Sequence, residues 1–351
     1  MPDDAETLTR TAAEVAPREA WYAAIASQRL AGKPVAARVL EHDVALWRDG
    51  SGRARAVQDR CVHRGAQLSL GEVTDDALAC RYHGWRYGAD GACVHIPSLV
   101  TGQTIPRGAA VRAFPCAERD GYVWIWTGVT APTSEGPAPI ADFNRFNWVQ
   151  GIVTLKAPAL AVIENNLDWC HPVFAHPYTH GQFFLNQALG FREYEIEMRL
   201  TERGLVVFAP ATADAETPIP ADAPVALEFE LPDRVTVAFA SGPQGPMRIV
   251  MHMVPLGAGE SRQEWMVSTG PVAAGEAPKL QWTDEPNAIF EQDRLVLESA
   301  HLAIAREGHG FERSVEADAP TLLARRVYAA AAERRWPDAR LRARRILKVR
   351  S

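Results

Sequence analysis

Hydrophobic positions between residues 34 and 128 come in short runs rich in β-branched and aromatic residues. Val35-Ala36-Ala37-Arg38-Val39-Leu40 and Gly121-Tyr122-Val123-Trp124-Ile125-Trp126 are examples. Short apolar runs bounded by turn residues mark strands. Three Asp-Gly pairs, Asp49-Gly50, Asp90-Gly91 and Asp120-Gly121, punctuate them. Both residue types tolerate positive φ, so the pairs predict tight hairpins and the region a small antiparallel β domain.

Between residues 128 and 141, Pro132, Pro137 and Pro139 stand among Ser, Thr and Gly, a composition that resists helix and sheet alike. This predicts a linker between a domain over 18–130 and another over 142–351. In the second, alternation at 193–200, 225–231, 234–240 and 247–256 predicts a sheet with one buried face. Helical periodicity falls at 159–168, 285–305 and 320–335. The class expected is α+β, an all-β domain followed by an antiparallel sheet with flanking helices. Residues 210–224, rich in Pro, Ala, Asp and Thr, read as an exposed loop able to cover a pocket.

A chain of 351 residues is long enough for two packed domains. Its net charge of -6 and pI near 6.0 give no basic footprint for nucleic acid, leaving a small molecule or another protein as partner. The polar, acidic first 17 residues do not read as a signal peptide, and no apolar run approaches a membrane span. A cytoplasmic protein with no membrane partner is expected. The five cysteines, an odd number, argue for reduced thiols and metal ligation over disulfides.

Cys61-Val62-His63 and Cys80-Arg81-Tyr82-His83 each carry one thiolate and one imidazole, and sixteen residues separate them. Gly65 and Gly84 adjoin the pairs, so two loop tips could face each other and pool two Cys and two His. Neutral imidazoles in place of two thiolates raise the potential of a 2Fe-2S cluster. Zinc and ordinary core residues compete with this reading. Structural zinc sites, however, usually keep cysteines with cysteines and histidines with histidines, whereas here each loop has one of each.

The segments from Cys61 to Ser69 and from Cys80 to Trp85 closely resemble the Rieske motif of ring-hydroxylating and demethylating oxygenases. The likeness extends through Asp90-Gly91-Ala92-Cys93-Val94-His95-Ile96-Pro97, which looks like the vanillate demethylase oxygenase branch. The resemblance implies a Rieske domain with Cys61, His63, Cys80 and His83 on the cluster, then a helix-grip (START-like) catalytic domain.

A cluster alone would serve an electron carrier, so oxygen chemistry needs a second centre. In the segment from Glu164 to His176, Asn165, Asp168 and His171 recur every three residues and are expected on one helical face. His176 fits that face poorly, and Pro172 and Pro177 should distort the helix around it. Two histidines and a carboxylate bind Fe(II) on one face and leave positions for O2 and substrate. Taken singly, each of these residues reads as a polar group satisfied near a helix end.

By resemblance, His171 and His176 are iron ligands. Asp293, in Phe290-Glu291-Gln292-Asp293-Arg294, is the third, with Glu291 and Glu298 as rivals. The residue matching Asp168 links this site to a cluster histidine of a neighbouring subunit, here joining His171 to His83 of another chain. Asn165 would support the site or merely cap the helix. Family members of this size are commonly head-to-tail homotrimers, as that bridge requires.

The resemblance further implies a small aromatic substrate and O2. Monooxygenation by O- or N-demethylation or hydroxylation comes first, cis-dihydroxylation of an aromatic ring is the alternative, and a non-catalytic electron carrier the opposing class. No dinucleotide or flavin motif occurs, so NAD(P)H would be oxidised by a separate reductase, with or without a ferredoxin. Cys170 reads as a small buried hydrophobe, His180 as a surface histidine and His252 as either core or cavity wall. The basic run over 325–350 reads as an acidic-donor dock or a solvated helix face.

Overall fold

The structure is a computed structural model that describes residues 16–176, 193–213, 223, 225–242, 245–341 and 343–350. Its chain divides into two units, one of Arg18–Ala141 and one containing Asp142–Ser351.

The first unit holds only strands and short 3-10 turns. Its strands are β1 (Trp21–Ala26), β2 (Val35–Val39), β3 (His42–Arg48), β4 (Ala54–Gln58), β5 (Glu72–Thr74), β6 (Ala77–Ala79), β7 (Arg86–Tyr87), β8 (Cys93–His95), β9 (Ala113–Phe114), β10 (Cys116–Arg119) and β11 (Tyr122–Trp126). They form sheets ordered β1-β11-β10, β2-β3-β4-β9 and β5-β6-β7-β8. Trp47, Tyr87, Leu68 and Leu78, all fully buried, are central to the core beneath the cysteine loops.

Of the three Asp-Gly pairs, Asp120-Gly121 makes the expected two-residue turn, with φ of 52° and 80°. Asp49-Gly50 does not. The Asp49 carboxylate instead accepts the N–H groups of Ser51 and Arg53, which opens the loop and moves positive φ to Gly52. Asp75-Asp76 supplies a second two-residue turn without glycine, at φ 50° and 60°. The segment 128–141 carries no strand or helix, yet it is tied down, since Asp120 accepts the Ile140 N–H and Arg119 donates to the Pro137 carbonyl.

The second unit contains β12 (Phe146–Leu155), α1 (Ala159–Leu167), α2 (Pro172–Ala175), β13 (Glu193–Leu200), β14 (Gly204–Ala209), β15 (Val225–Glu230), β16 (Arg234–Phe239), β17 (Met247–Gly257), β18 (Glu260–Pro271), β19 (Leu280–Trp282), α3 (Ala288–Glu307), α4 (Ala319–Ala332) and β20 (Arg344–Arg350). Nine strands form one sheet, ordered β19-β12-β18-β17-β16-β15-β14-β13-β20, antiparallel except for the β12 and β19 pair. The fold is thus the expected all-β unit followed by a catalytic-type domain with a large antiparallel sheet and few helices.

Helix α1 buries Ala159, Leu160, Val162, Ile163 and Leu167, a stripe at helical spacing packed into the core with α4 and the sheet. It stops at Leu167, where Asp168 is extended, and α2 begins afresh with Pro172 in its first turn. The single helical face expected for Asn165, Asp168 and His171 therefore does not exist. The break is local chemistry: the Asp168 carboxylate accepts the N–H groups of Cys170 (2.8 Å) and His171 (3.2 Å), satisfying a turn in place of the helix. Helix α3 starts at Ala288 because Asn287 caps it, its side chain accepting the Ile289 N–H. Phe290 and Asp293, three apart, are its buried residues.

Candidate metal centres

The two cysteine loops are built alike. Cys61 N–H donates to Ala66 O and Gly65 N–H to Cys61 O; Cys80 N–H donates to Trp85 O and Gly84 N–H to Cys80 O. In each loop the glycine lies four residues after the cysteine with positive φ, 78° at Gly65 and 69° at Gly84. A β-carbon at Gly84 would also approach Pro97 Cγ to 2.9 Å. This matched geometry brings the His63 and His83 rings to a centroid distance of 4.5 Å, with His63 stacked on Trp85.

Three observations fit a cluster held by these four side chains. Both cysteines are buried, and His63 Nδ1 is buried with no hydrogen bond, the state of a nitrogen directed at a metal. Burial, followed by the neighbouring His83 and Arg64, holds His63 below the ordinary imidazole value and so favours the neutral ring a metal needs. Tyr87 Oη lies 3.1 Å from Cys61 Sγ and accepts the Val62 N–H, leaving its own O–H for the sulfur. Burial pushes the Tyr87 hydroxyl well above its usual range, so it remains a donor.

In the second unit, His171, His176 and Asp293 place one donor atom each within 4.8 Å of one another. Asp293 Oδ1 stands 3.2 Å from His176 Nε2 and 3.6 Å from His171 Nε2. That oxygen is buried and makes no hydrogen bond, which suits a cation between the three. Among the described residues this is the one group so close. Cys61, His63, Cys80 and His83 do not form a group so close.

Carbonyl oxygens hold both rings from behind. The Asp168 backbone oxygen takes His171 Nδ1 at 2.9 Å, and Gln292 Oε1 takes His176 Nδ1 at 2.9 Å. Each imidazole therefore keeps its proton on Nδ1 and turns Nε2 inward. The resemblance puts the Asp168 carboxylate on the His171 ring; here the backbone carbonyl occupies that place, and the carboxylate is engaged through Oδ1 by the turn. Burial pulls His176 down, but the Asp293 carboxylate and the Gln292 oxygen outweigh it and hold the ring above its ordinary value. The pocket favours positive charge at that point.

The rival acids lie elsewhere. Glu291 pairs with Arg294, and Glu298 accepts the Lys156 N–H. Asn165 Nδ2 is buried without a hydrogen bond, and its neighbour Asn166, not Asn165, lines the cavity. Asn166 and Gln292 escaped the sequence reading; the one available signal was adjacency to Asn165 and Asp293. Burial raises the Cys170 thiol to about 11, so it is no thiolate at neutral pH. His252 is buried beside Asp233, 3.3 Å away, and outside the cavity lining. His180 lies outside the described residues. The basic run over 325–350 is not one helix face: Arg325, Arg344, Arg345 and Lys348 pair with Glu164, Glu197, Glu316 and Glu193, and its last part is β20.

Beside the three converging residues opens a cavity of about 580 Å³, counting its mouth. Val225 and Leu227 of β15, Val237 and Phe239 of β16, and Ile249 and Met251 of β17 form its sheet wall. They alternate along strands in register, with Leu227 opposite Val237 and Val237 opposite Ile249, so period-two patterning creates the apolar surface. Trp169, Ile289 and Phe290 close the other side. Among the described residues, no helix is long and apolar enough to cross a membrane.

A cysteine and histidine double loop in an all-β unit, followed by a sheet domain with a two-histidine and one-carboxylate group, defines an iron-sulfur protein with a second metal centre. The description of the Rieske [2Fe-2S] domain matches residues 20–115, and that of the vanillate O-demethylase oxygenase C-terminal domain matches residues 155–334. The chain belongs to the Rieske oxygenases of this vanillate O-demethylase type.

Among its relatives, the vanillate O-demethylase oxygenase subunit of a Pseudomonas species is 30% identical over 190 residues, 53% of this chain and 52% of that one. A toluene-4-sulfonate monooxygenase system iron-sulfur subunit of Comamonas testosteroni is 32% identical over 170 residues, 47% of this chain and 48% of the relative. The matched part is about half the length of these curated relatives. The crystal structure of dicamba monooxygenase bound to dicamba superposes with a TM-score of 0.73 at 21% identity, over 91% of this chain and 98% of that one, which shows the shared fold.

Proposed function

We propose that the chain is the oxygenase component of a multicomponent monooxygenase, oxidising a small aromatic compound with O2 and electrons from a separate reductase. The observation that carries this reading is the convergence of His171, His176 and Asp293 at the edge of an apolar cavity. Iron held there would activate O2, and a cluster on Cys61, His63, Cys80 and His83 would supply single electrons. His171, His176 and Asp293 would hold the ion, and the apolar walls would exclude water and hold a flat substrate beside it.

Asp168 has two tasks in this reading. Its Oδ1 and backbone oxygen set the turn and the His171 ring, while Oδ2, which makes no hydrogen bond among the described residues, would meet His83 of a neighbouring copy in a homotrimer. Demethylation and hydroxylation both follow from one oxygen atom inserted at a C–H bond, and the names of the relatives favour them over dihydroxylation.

The test is substrate-dependent O2 uptake with a surrogate reductase, together with iron analysis. The oxygenase requires uptake coupled to product and about three irons per chain, two in the cluster and one mononuclear. About two irons, with no uptake on any aromatic substrate, would leave only an electron carrier.

A further inference from the structure

The polar atoms of the cavity wall are few, and most are already engaged. His171, His176 and Asp293 face one another, and Asp168 Oδ1 is held by backbone N–H groups. Trp169 Nε1 donates to Tyr194 Oη, so Trp169 offers the cavity only its ring. Asn166 remains. Its Nδ2 donates to the Val162 carbonyl at 2.8 Å, and only the amide nitrogen can donate to a carbonyl, so the orientation of the amide is fixed by chemistry. Its Oδ1 makes no hydrogen bond among the described residues. With Asp168 Oδ2 assigned to the neighbouring copy, Asn166 Oδ1 is the unengaged neutral acceptor among the described lining residues, most of which are apolar.

Charge sharpens the picture. No Lys or Arg occurs among the described lining residues, while Asp168 and Asp293 are both acids. A carboxylate or sulfonate placed against Val225, Leu227, Val237 and Phe239 would lose its hydration without a paired cation. A divalent ion at the His171, His176 and Asp293 group would not rescue it, because that end must receive the C–H bond to be oxidised.

We infer that the cavity selects a neutral arene carrying one hydrogen-bond donor, and that Asn166 Oδ1 is the specificity-determining group that reads this donor. The inference deepens the oxygenase reading and rests on it only for which compounds are turned over; binding can be measured without turnover. The donor, a phenolic O–H or an anilide N–H, would bind at the α1 end of the cavity and turn the opposite edge of the ring toward the metal group.

The experiment measures calorimetric binding of three probes to the anaerobic holoprotein: 2-methoxyphenol, 1,2-dimethoxybenzene and 4-hydroxy-3-methoxybenzoate. The donor-bearing neutral probe is expected to bind about five- to tenfold more tightly than the dimethoxy compound, and at least about tenfold more tightly than the carboxylate. Asn166→Leu should bring the first ratio close to one and leave 1,2-dimethoxybenzene binding intact, the latter showing that the cavity still forms. Equal or tighter binding of the carboxylate by the wild type, which needs no variant, overturns the inference. So does an unchanged first ratio in Asn166→Leu. O2 uptake on any arene despite failed ratios would spare the oxygenase reading, while ratios that hold without any uptake would sink that reading and keep the recognition.

Discussion

Gln292 Oε1 lies 2.9 Å from His176 Nδ1, and the next residue, Asp293, sets its Oδ1 3.2 Å from Nε2 of the same ring. Two consecutive residues of α3 thus address opposite nitrogens of one imidazole. Gln292 fixes the tautomer, which leaves the Nε2 lone pair for a metal. Gln292→Leu should weaken Co(II) binding to metal-depleted protein by about 10- to 100-fold, whereas Gln292→Glu, which keeps an acceptor, should retain it. Absorption titration with Co(II) reads both. Wild-type affinity in the leucine variant would mean that packing alone orients the ring.

Asp293 is the one carboxylate in the converging group, and it is buried. Asp293→Asn removes the charge that offsets the cation while keeping the shape. Iron should fall from about three to about two per chain, with the cluster's electron paramagnetic resonance signal unchanged. Loss of the cluster signal along with the third iron would point to a folding defect.

Asp168 offers a cleaner separation of roles. Asparagine retains an Oδ1 acceptor for the Cys170 and His171 N–H groups, so Asp168→Asn should keep the turn and both metals. If the carboxylate links the centres of neighbouring copies, single-turnover product formation by the pre-reduced variant should slow severely. A wild-type single-turnover rate would remove Asp168 from the electron path. Asp168→Ala should also lose the turn, at about 1 kcal/mol of stability.

Tyr87 tunes the other centre. Its O–H lies 3.1 Å from Cys61 Sγ, and a donor to sulfur stabilises the more negative, reduced cluster. Tyr87→Phe should lower the midpoint potential by some tens of mV, on the order expected for one hydrogen bond to sulfur, in a voltammetric titration. An unchanged potential would show that the hydroxyl is directed at the Val62 N–H alone.

Strands whose polar and apolar residues alternate could be read directly from sequence. Residues 193–200, where Glu and Arg alternate with apolar residues, became β13 with the expected bounds, and β15 to β17 each fell within a residue of theirs. Gly204-Leu205-Val206-Val207-Phe208-Ala209 was illegible because β14 is buried on both faces and carries no alternation. The helix break at Asp168 was misplaced for a different reason. Periodicity records which residues prefer a helix, but not that an aspartate side chain will capture the next N–H groups first. Asn166 and Gln292 were hidden because their roles depend on an orientation that only packing decides.

Far from the metals, a buried carboxylate controls acid stability. Glu197 on β13 is fully buried and accepts hydrogen bonds from Arg199, from Arg344 of the neighbouring β20, and from the Thr212 N–H. Burial alone would raise its pKa, but the two guanidinium groups and the Thr212 donors outweigh it and hold it at about 2, against 4.5 for an ordinary glutamate. A folded-state value below the unfolded one means that the stabilisation is complete above pH 4.5 and is lost as pH falls toward 2. Glu197→Gln leaves Arg199 and Arg344 without their buried anion, a change that typically costs about 3 to 5 kcal/mol. The melting temperature at pH 7 should therefore drop by roughly 6 to 12 °C or more. The gap between wild type and variant should narrow on titration to pH 3, because the wild type loses there what the variant never had. A gap that stays constant from pH 7 to pH 3 in circular-dichroism melts would show that the carboxylate's charge is not what anchors β20.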